Sequence, residues 1–199
     1  AELRSALRSC KRKSAPGADG LTYQMFRNLD EAGFDRLLAA YNRIWDTGRL
    51  PPEWLLAILR PIPKPGKGFV AVTAYRPVAL TSCGCKLLER VALRRMEAIV
   101  AEEEAIPEQL TGFRKHRAAT DSIADVVAAL EHARATKQLA ALVLLDVKGA
   151  FDNLQRPAIS AAMEEAGIAG KLRGFVEAFL TGRTAQVQVG NALSAPRPV

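Results

Sequence analysis

LAALVLLDVKGAFDNL, Leu139 to Leu154, is the stretch whose reading decides the fold. Seven apolar residues run from Ala140 through Leu145 and on to Val147, broken only by Asp146. A short apolar run bounded by turn-forming residues predicts a buried strand. An unpaired buried charge costs on the order of several kcal/mol, so a cation is expected to meet Asp146.

An apolar strand that ends in Asp has three readings. The Asp can simply cap the following turn. It can organise Mg²⁺ in a nucleotide hydrolase, which requires a G-x-x-x-x-G-K-[ST] loop that this sequence lacks. The nearest approach, KPGKG at Lys64–Gly68, is too short and has no Ser or Thr after Lys67. Third, it can sit in a polymerase palm, where a strand-end Asp binds Mg²⁺ and the next turn holds a nucleotide. The residues after Asp146 favour this reading. Gly149 and Ala150 are small enough for backbone N–H groups to approach a triphosphate. Phe151 follows, where a ring under the sugar would clash with a 2′-OH and select deoxyribonucleotides.

Bulk composition fits a globular chain with a core of its own. The 199 residues are 49% hydrophobic and 25% charged. No apolar run reaches the ~18 residues of a membrane span. The basic N-terminus lacks the apolar core of a secretory signal. Cys10, Cys83 and Cys85 have neither zinc spacing nor suitably placed His116 and His132, so free thiols in a reducing compartment, nucleus or cytoplasm, are expected. The net charge of +7 is uneven: residues 1–100 carry seventeen Lys/Arg against nine Asp/Glu, and residues 101–199 eleven against twelve. That asymmetry points to a polyanionic partner.

Along the chain, LRSALRSCKRK predicts a short basic helix ended by the turn SAPGADG, with Asp19 capping a helix through LTYQMFRNL. Leu37, Leu38, Tyr41, Ile44 and Trp45 predict an amphipathic helix from about Asp35 to Gly48. Prolines at 61, 63 and 65 forbid a helix, so LRPIPKPGKG and YRPVALTS are expected to pair as a basic hairpin over about 55–82. CKLLERVALRRMEAIVAEEE reads as a strong helix, with Leu87, Leu88, Val91, Met96 and Ile99 on one side. Another is expected after a Thr120 cap, with Ile123, Val126, Val127 and Leu130 on one face. Asp152 reads as a cap ahead of a helix opened by Pro157. KLRGFVEAFLTG is a further helix and RTAQVQVGNALSAP a hairpin. Helices and hairpins that do not alternate strictly give an α+β class.

Four of these segments, in order, resemble the reverse transcriptase domains of non-LTR (LINE-type) retrotransposons: KSAPGADGLTYQMFRNL, LRPIPKPGKG with AYRPVALTSCGCKLLERVALRRM, LTGFRKHRAATDSI, and LLDVKGAFDNL. The resemblance covers the chain from Lys13 to about Val199. It implies a right-hand polymerase fold, with residues 1–138 mainly fingers and residues 139–199 an incomplete palm. It matches Asp146 to the first catalytic, metal-binding aspartate and Val147 to a metal-binding backbone carbonyl. Phe151 matches the aromatic sugar gate, beside Gly149 and Ala150. Lys64 and Arg76 match the hairpin cations that hold the triphosphate. Arg60 is placed against template or phosphate, and Gly112, Phe113 and Arg114 near the template–primer, with Lys115 and Arg117 as backbone contacts. Lys67 and Lys115 read equally as solvated cations, and Phe113 as a stacking ring or a core anchor. The implied cofactor is Mg²⁺, two ions per complete site, with Mn²⁺ as an alternative. The implied partners are an RNA template, a DNA primer and dNTPs, with no membrane.

One departure matters. The family carries a Pro-Gln-Gly turn and later a hairpin with two adjacent aspartates, and neither occurs in these 199 residues. Asp146 alone lacks most of the carboxylate charge of a two-metal site. The expectation is therefore a partial polymerase domain, inactive by itself, with a non-catalytic RNA- or DNA-binding remnant as the alternative.

Overall fold

α5 (Cys83–Glu102) is the centre around which the other helices pack, the helix over residues 119–135 excepted. The spacing of Leu87, Leu88 and Val91 makes one face apolar, and these side chains are buried, Leu87 completely. Ser82 starts the helix, its hydroxyl accepting from the Gly84 and Cys85 N–H groups at 3.1 and 3.3 Å. This computed structural model describes residues 1–66, 71–151 and 153–199; Lys67 and Asp152 lie outside the described residues. α1 (Glu2–Ser9) runs antiparallel to α5, Glu2 bonding Arg95 and Ser5 bonding Arg94.

α2 (Tyr23–Arg27) and α3 (Glu31–Thr47) cover another side of α5. Gly48 ends α3 at φ 65°, the left-handed cap expected of it. α3 begins four residues before the expected Asp35, because Asp30 caps it by accepting from Gly33 N–H at 2.8 Å. Buried Tyr41 on α3 packs edge-on against Trp54 of α4 (Pro52–Leu55) and donates its hydroxyl to the Gly84 carbonyl at 2.8 Å. Tyr41→Phe is therefore expected to lower unfolding free energy by about 1–1.5 kcal/mol, measured by urea denaturation. An unchanged midpoint would show that this bond contributes nothing. α7 (Arg156–Glu165) and α8 (Gly170–Leu180) close the core with Met163, Leu172 and Phe175, the last stacked on Trp45 at 5.4 Å.

The expected basic hairpin forms. β1 (Leu56–Pro63) pairs antiparallel with β2 (Tyr75–Leu80), Ile62 opposite Arg76. β3 (Thr184–Val189) turns back into β4 (Ala192–Leu193), as the second hairpin predicts, and also pairs with β5 (Arg197–Pro198). β3 lies parallel to β1, Ile58 opposite Gln186. The result is a mixed sheet beside a helical core, a mixed α/β architecture.

Several expectations are corrected. Residues 139–147 form no strand, and their side chains are exposed, Leu144 at 85% and Leu145 at 91%. A strand is not a local conformation: it needs a ladder partner, and residues 139–147 pair with none of β1 to β5 among the described residues. Val143, Leu144 and Leu145 are consequently not core among the described residues. α6 (Ala119–Ala135) is the expected helix, but Ile123, Val127 and Leu130 on its apolar stripe are exposed. Its cap is not Thr120; the Asp121 carboxylate accepts from Ala118 N–H at 2.8 Å. Nor does Asp19 cap α2, a role taken by Thr22. Pro157 stands at the second position of α7, after Arg156. The three cysteines are free and buried, and burial pushes the Cys83 and Cys85 thiols up, away from reactive thiolate. No helix among the described residues is long and apolar enough to cross a membrane.

Candidate functional site

The hairpin aligns three of the expected cations. Side chains alternate along a strand, so Arg60, Ile62 and Lys64 share a face, and the register puts Arg76 and Val78 on the same face of β2. Lys64 lies just past β1, where its N–H still bonds the Ala74 carbonyl at 2.8 Å. Its ammonium donates to the Thr73 carbonyl at 2.9 Å. Arg76 is exposed. Arg60 reaches across to β3 and donates from Nε and Nη2 to Gln188 Oε1, at 3.1 and 3.0 Å. The sequence offered no sign of that partner, which lies 128 residues away.

Downstream of residue 147 the chain makes the tight turn that its small residues predict. Gly149 sits at φ +61°, a left-handed conformation that a β-carbon disfavours. Its carbonyl accepts from Asn153 N–H at 2.9 Å, and the Asn153 side chain donates to the Lys148 carbonyl at 3.0 Å. The turn leaves Ala150 exposed and Phe151 80% exposed. The Phe151 ring is not bare, however. It meets the ring of Phe113 edge to face, centroids 6.3 Å apart and planes at 84°. Two segments that sequence treats separately, GFR and DVKGAF, thus meet at their aromatic residues. Phe113 is neither a core anchor nor a buried ring: it is fully exposed and held at φ +59°, unusual for a bulky residue.

The basic residues beside Phe113 are engaged with protein. Arg114 donates to the Pro107 carbonyl at 3.0 Å, Lys115 pairs with Glu97 of α5, and Arg117 lies 3.7 Å from Glu108. Phe113, Arg114 and Lys115 border a cleft of about 900 Å³ between α5 and the loop that follows it. Gly112 has nothing within 4 Å of where a β-carbon would stand.

Asp146 corrects the opening expectation most sharply. It is exposed, so no desolvation demands a cation, and no ion pair or hydrogen bond joins it to Lys64 or Arg76 among the described residues. Val147 is 70% exposed in the same extended segment. Among the described residues no three His, Cys, Asp or Glu side chains gather where they could hold a metal ion. A lone exposed carboxylate does not fit the pair of ions that the resemblance implies, and these residues do not by themselves make a metal centre.

The basic hairpin, the glycine turn after Asp146 and the exposed Phe151 ring are thus all present among the described residues, without a metal centre. The chain belongs to the reverse transcriptase (RNA-dependent DNA polymerase) family, whose model matches residues 62–197. It is 26% identical over 196 residues to the probable RNA-directed DNA polymerase from transposon BS of Drosophila melanogaster, and 29% identical over 198 residues to that of the mobile element jockey of the same fly. The jockey polymerase of Drosophila funebris is 31% identical over 158 residues, 79% of this chain and 17% of the relative. The alignments with the two Drosophila melanogaster proteins span 98% and 100% of this chain but only 22% of each relative's length. The chain is thus a partial reverse transcriptase domain, homologous to polymerases of non-LTR retrotransposons.

Proposed function

We propose that this chain forms the fingers, mainly residues 1–138, and the first part of the palm, residues 139–199, of an RNA-directed DNA polymerase. The observation that carries this reading is the contact between Phe113 and Phe151 at an exposed surface beside the Gly149 turn, a few residues downstream of Asp146. It supports a site in which Phe151 faces the sugar of an incoming dNTP and Phe113 stands behind it. Lys64 and Arg76, on one hairpin face, supply positive charge for the triphosphate. Arg60, Gly112, Arg114, Lys115 and Arg117 border the path of an RNA template and a DNA primer.

Phosphoryl transfer asks the protein chiefly for placement and neutralised charge, with little covalent chemistry. The hairpin supplies cations, the Gly149 turn supplies close backbone approach, and Asp146 supplies one carboxylate. Mg²⁺ or Mn²⁺ would complete the charge only where further carboxylates join Asp146. The unpaired apolar segment before Asp146 fits the same reading, since a strand-forming sequence is left without its ladder partner.

Primer extension tests it, with an RNA template, a DNA primer, dNTPs and Mg²⁺. The 199-residue chain alone is expected to give no extended product, and the complete polypeptide of its reading frame to synthesise DNA dependent on the RNA template. Failure of the complete polypeptide to copy RNA would overturn the proposal, as would robust synthesis by the 199 residues, because it would show that Asp146 needs no other carboxylates.

A further inference from the structure

We propose that Gln188 is a positioning residue: its side-chain amide holds the Arg60 guanidinium on the hairpin face and leaves that charge free for a backbone phosphate of the RNA template. The inference rests on the polymerase reading above, which puts Arg60 beside the template, and it supplies what fixes Arg60 there.

Backbone register brings the two side chains together. β1 and β3 run parallel with Leu59 opposite Val187, so the next residues along, Arg60 and Gln188, stand side by side on the other face. Lys64 and Arg76 share that face. Arg60 donates from Nε and Nη2 to a single oxygen, Gln188 Oε1, at 3.1 and 3.0 Å. The amide is itself oriented. Gln188 Nε2 donates to the Gly190 carbonyl of its own hairpin turn at 3.4 Å, which leaves Oε1 for Arg60. β3 pairs with β4 as well as β1, Gln188 opposite Leu193, so the strand that carries the amide is tied into the sheet at this point.

What matters is that the partner is neutral. Arg4, Arg95, Arg117 and Arg173 are each met by a Glu carboxylate, which offsets their charge. No Asp or Glu occurs from Trp54 to Leu88 or from Ala178 to Val199, the two segments that supply all five strands. Arg60 is therefore held without being neutralised. A guanidinium presents its N–H donors in one rigid plane. With Nε and Nη2 engaged, Nη1 keeps both of its N–H groups unused among the described residues, on an exposed side chain. A fixed cation with one free edge suits a charge-assisted bond to a phosphate oxygen. A strut serving only to join two strands would be stronger with a carboxylate at residue 188; a cation reserved for a polyanion would be spoiled by one.

The test is fluorescence anisotropy of the 199-residue chain with labelled single-stranded RNA of about 20 nucleotides, titrated from about 50 mM salt upward. One single-strand phosphate contact carries a log–log salt slope of ~0.7, which at about 50 mM salt is roughly eightfold in affinity. R60Q is expected to lose about that factor and to flatten the slope by about 0.7. Q188E keeps the two bonds from Arg60 but cancels its charge, so it is expected to match R60Q in both readings. Q188M has similar reach and no acceptor. Its affinity is expected to fall about threefold, the cost of ordering a loosened side chain on binding, with the slope unchanged because the charge remains. In R60Q/Q188M the second change is expected to add nothing to the first, since the amide acts through Arg60.

Q188M that binds like the parent, or that weakens R60Q as much as it weakens the parent, would overturn the positioning role. Q188E with the parental affinity and slope would overturn the neutral hold, as would no RNA binding by the parent chain at low salt. An Arg60-dependent loss with single-stranded DNA but not with RNA of the same sequence would overturn the choice of the template strand. No nucleotide incorporation enters this readout. If the complete polypeptide never copies RNA while the cycle holds, the polymerase reading falls and the contact stands; if it copies RNA and Q188M changes nothing, this inference falls alone.

Discussion

Phe151→Ala in a primer-extending polypeptide that carries this chain is expected to admit ribonucleotides about 10- to 100-fold more readily relative to dNTPs. The expectation starts from geometry. The Gly149 turn throws the ring into the open, 80% exposed, where it supports no core packing. Its removal therefore alters whatever occupies the space beside it far more than it alters the fold. Overlap of a fixed ring with one extra oxygen costs about 1–3 kcal/mol, the usual penalty of overpacking. Each ~1.4 kcal/mol of discrimination is tenfold in the ratio of kcat/KM. The measurement is that ratio for a dNTP and its matching rNTP, in the parent and in the variant. If Phe151→Ala retains dNTP incorporation and keeps the parental ratio, the ring is no sugar gate.

The neighbouring ring makes this prediction sharper. Phe113 meets Phe151 edge to face, a geometry that contributes about 0.5–1.5 kcal/mol beyond simple burial. Its backbone stands in the left-handed region, at φ +59°. On the proposed reading Phe113 positions the Phe151 ring, so Phe113→Ala is expected to relax discrimination in the same direction by a smaller factor, while Phe113→Tyr preserves it.

What the sequence made legible divides along a physical line. Helices α3, α5, α7 and α8 carry apolar residues at three- and four-residue spacing, and local periodicity suffices to find them. The two hairpins were legible because prolines and turn residues act locally. The segment 139–147 misled for the converse reason: its residues have strand propensity, yet a strand exists only in a ladder. The parallel pairing of β1 with β3, and with it the Arg60–Gln188 bond, joins residues 128 apart and leaves no local trace. Helix starts slipped where several polar residues competed to cap: Thr22 displaced Asp19, and Asp121 made Thr120 unnecessary.

The candidate site shows the same division. Lys64 and Arg76 fall on one hairpin face because alternation is local, and Gly149 adopts the left-handed turn that its sequence invites. The meeting of Phe113 with Phe151 is tertiary and could not be read in advance. The position of Asp146 after an apolar run is legible in the sequence, but burial is not: the carboxylate is exposed and no desolvation calls for a cation.

Primer extension with Asp146→Asn tests the central claim most directly. The substitution keeps the shape of the side chain and removes its charge, and an exposed carboxylate can lose that charge without unfolding the chain. Removing one group that stabilises charge in a transition state commonly costs about 10²–10³-fold in kcat. RNA-templated DNA synthesis by the complete polypeptide is expected to fall by at least that factor, with RNA affinity unchanged. Synthesis at the parental rate by the Asp146→Asn polypeptide would contradict the account.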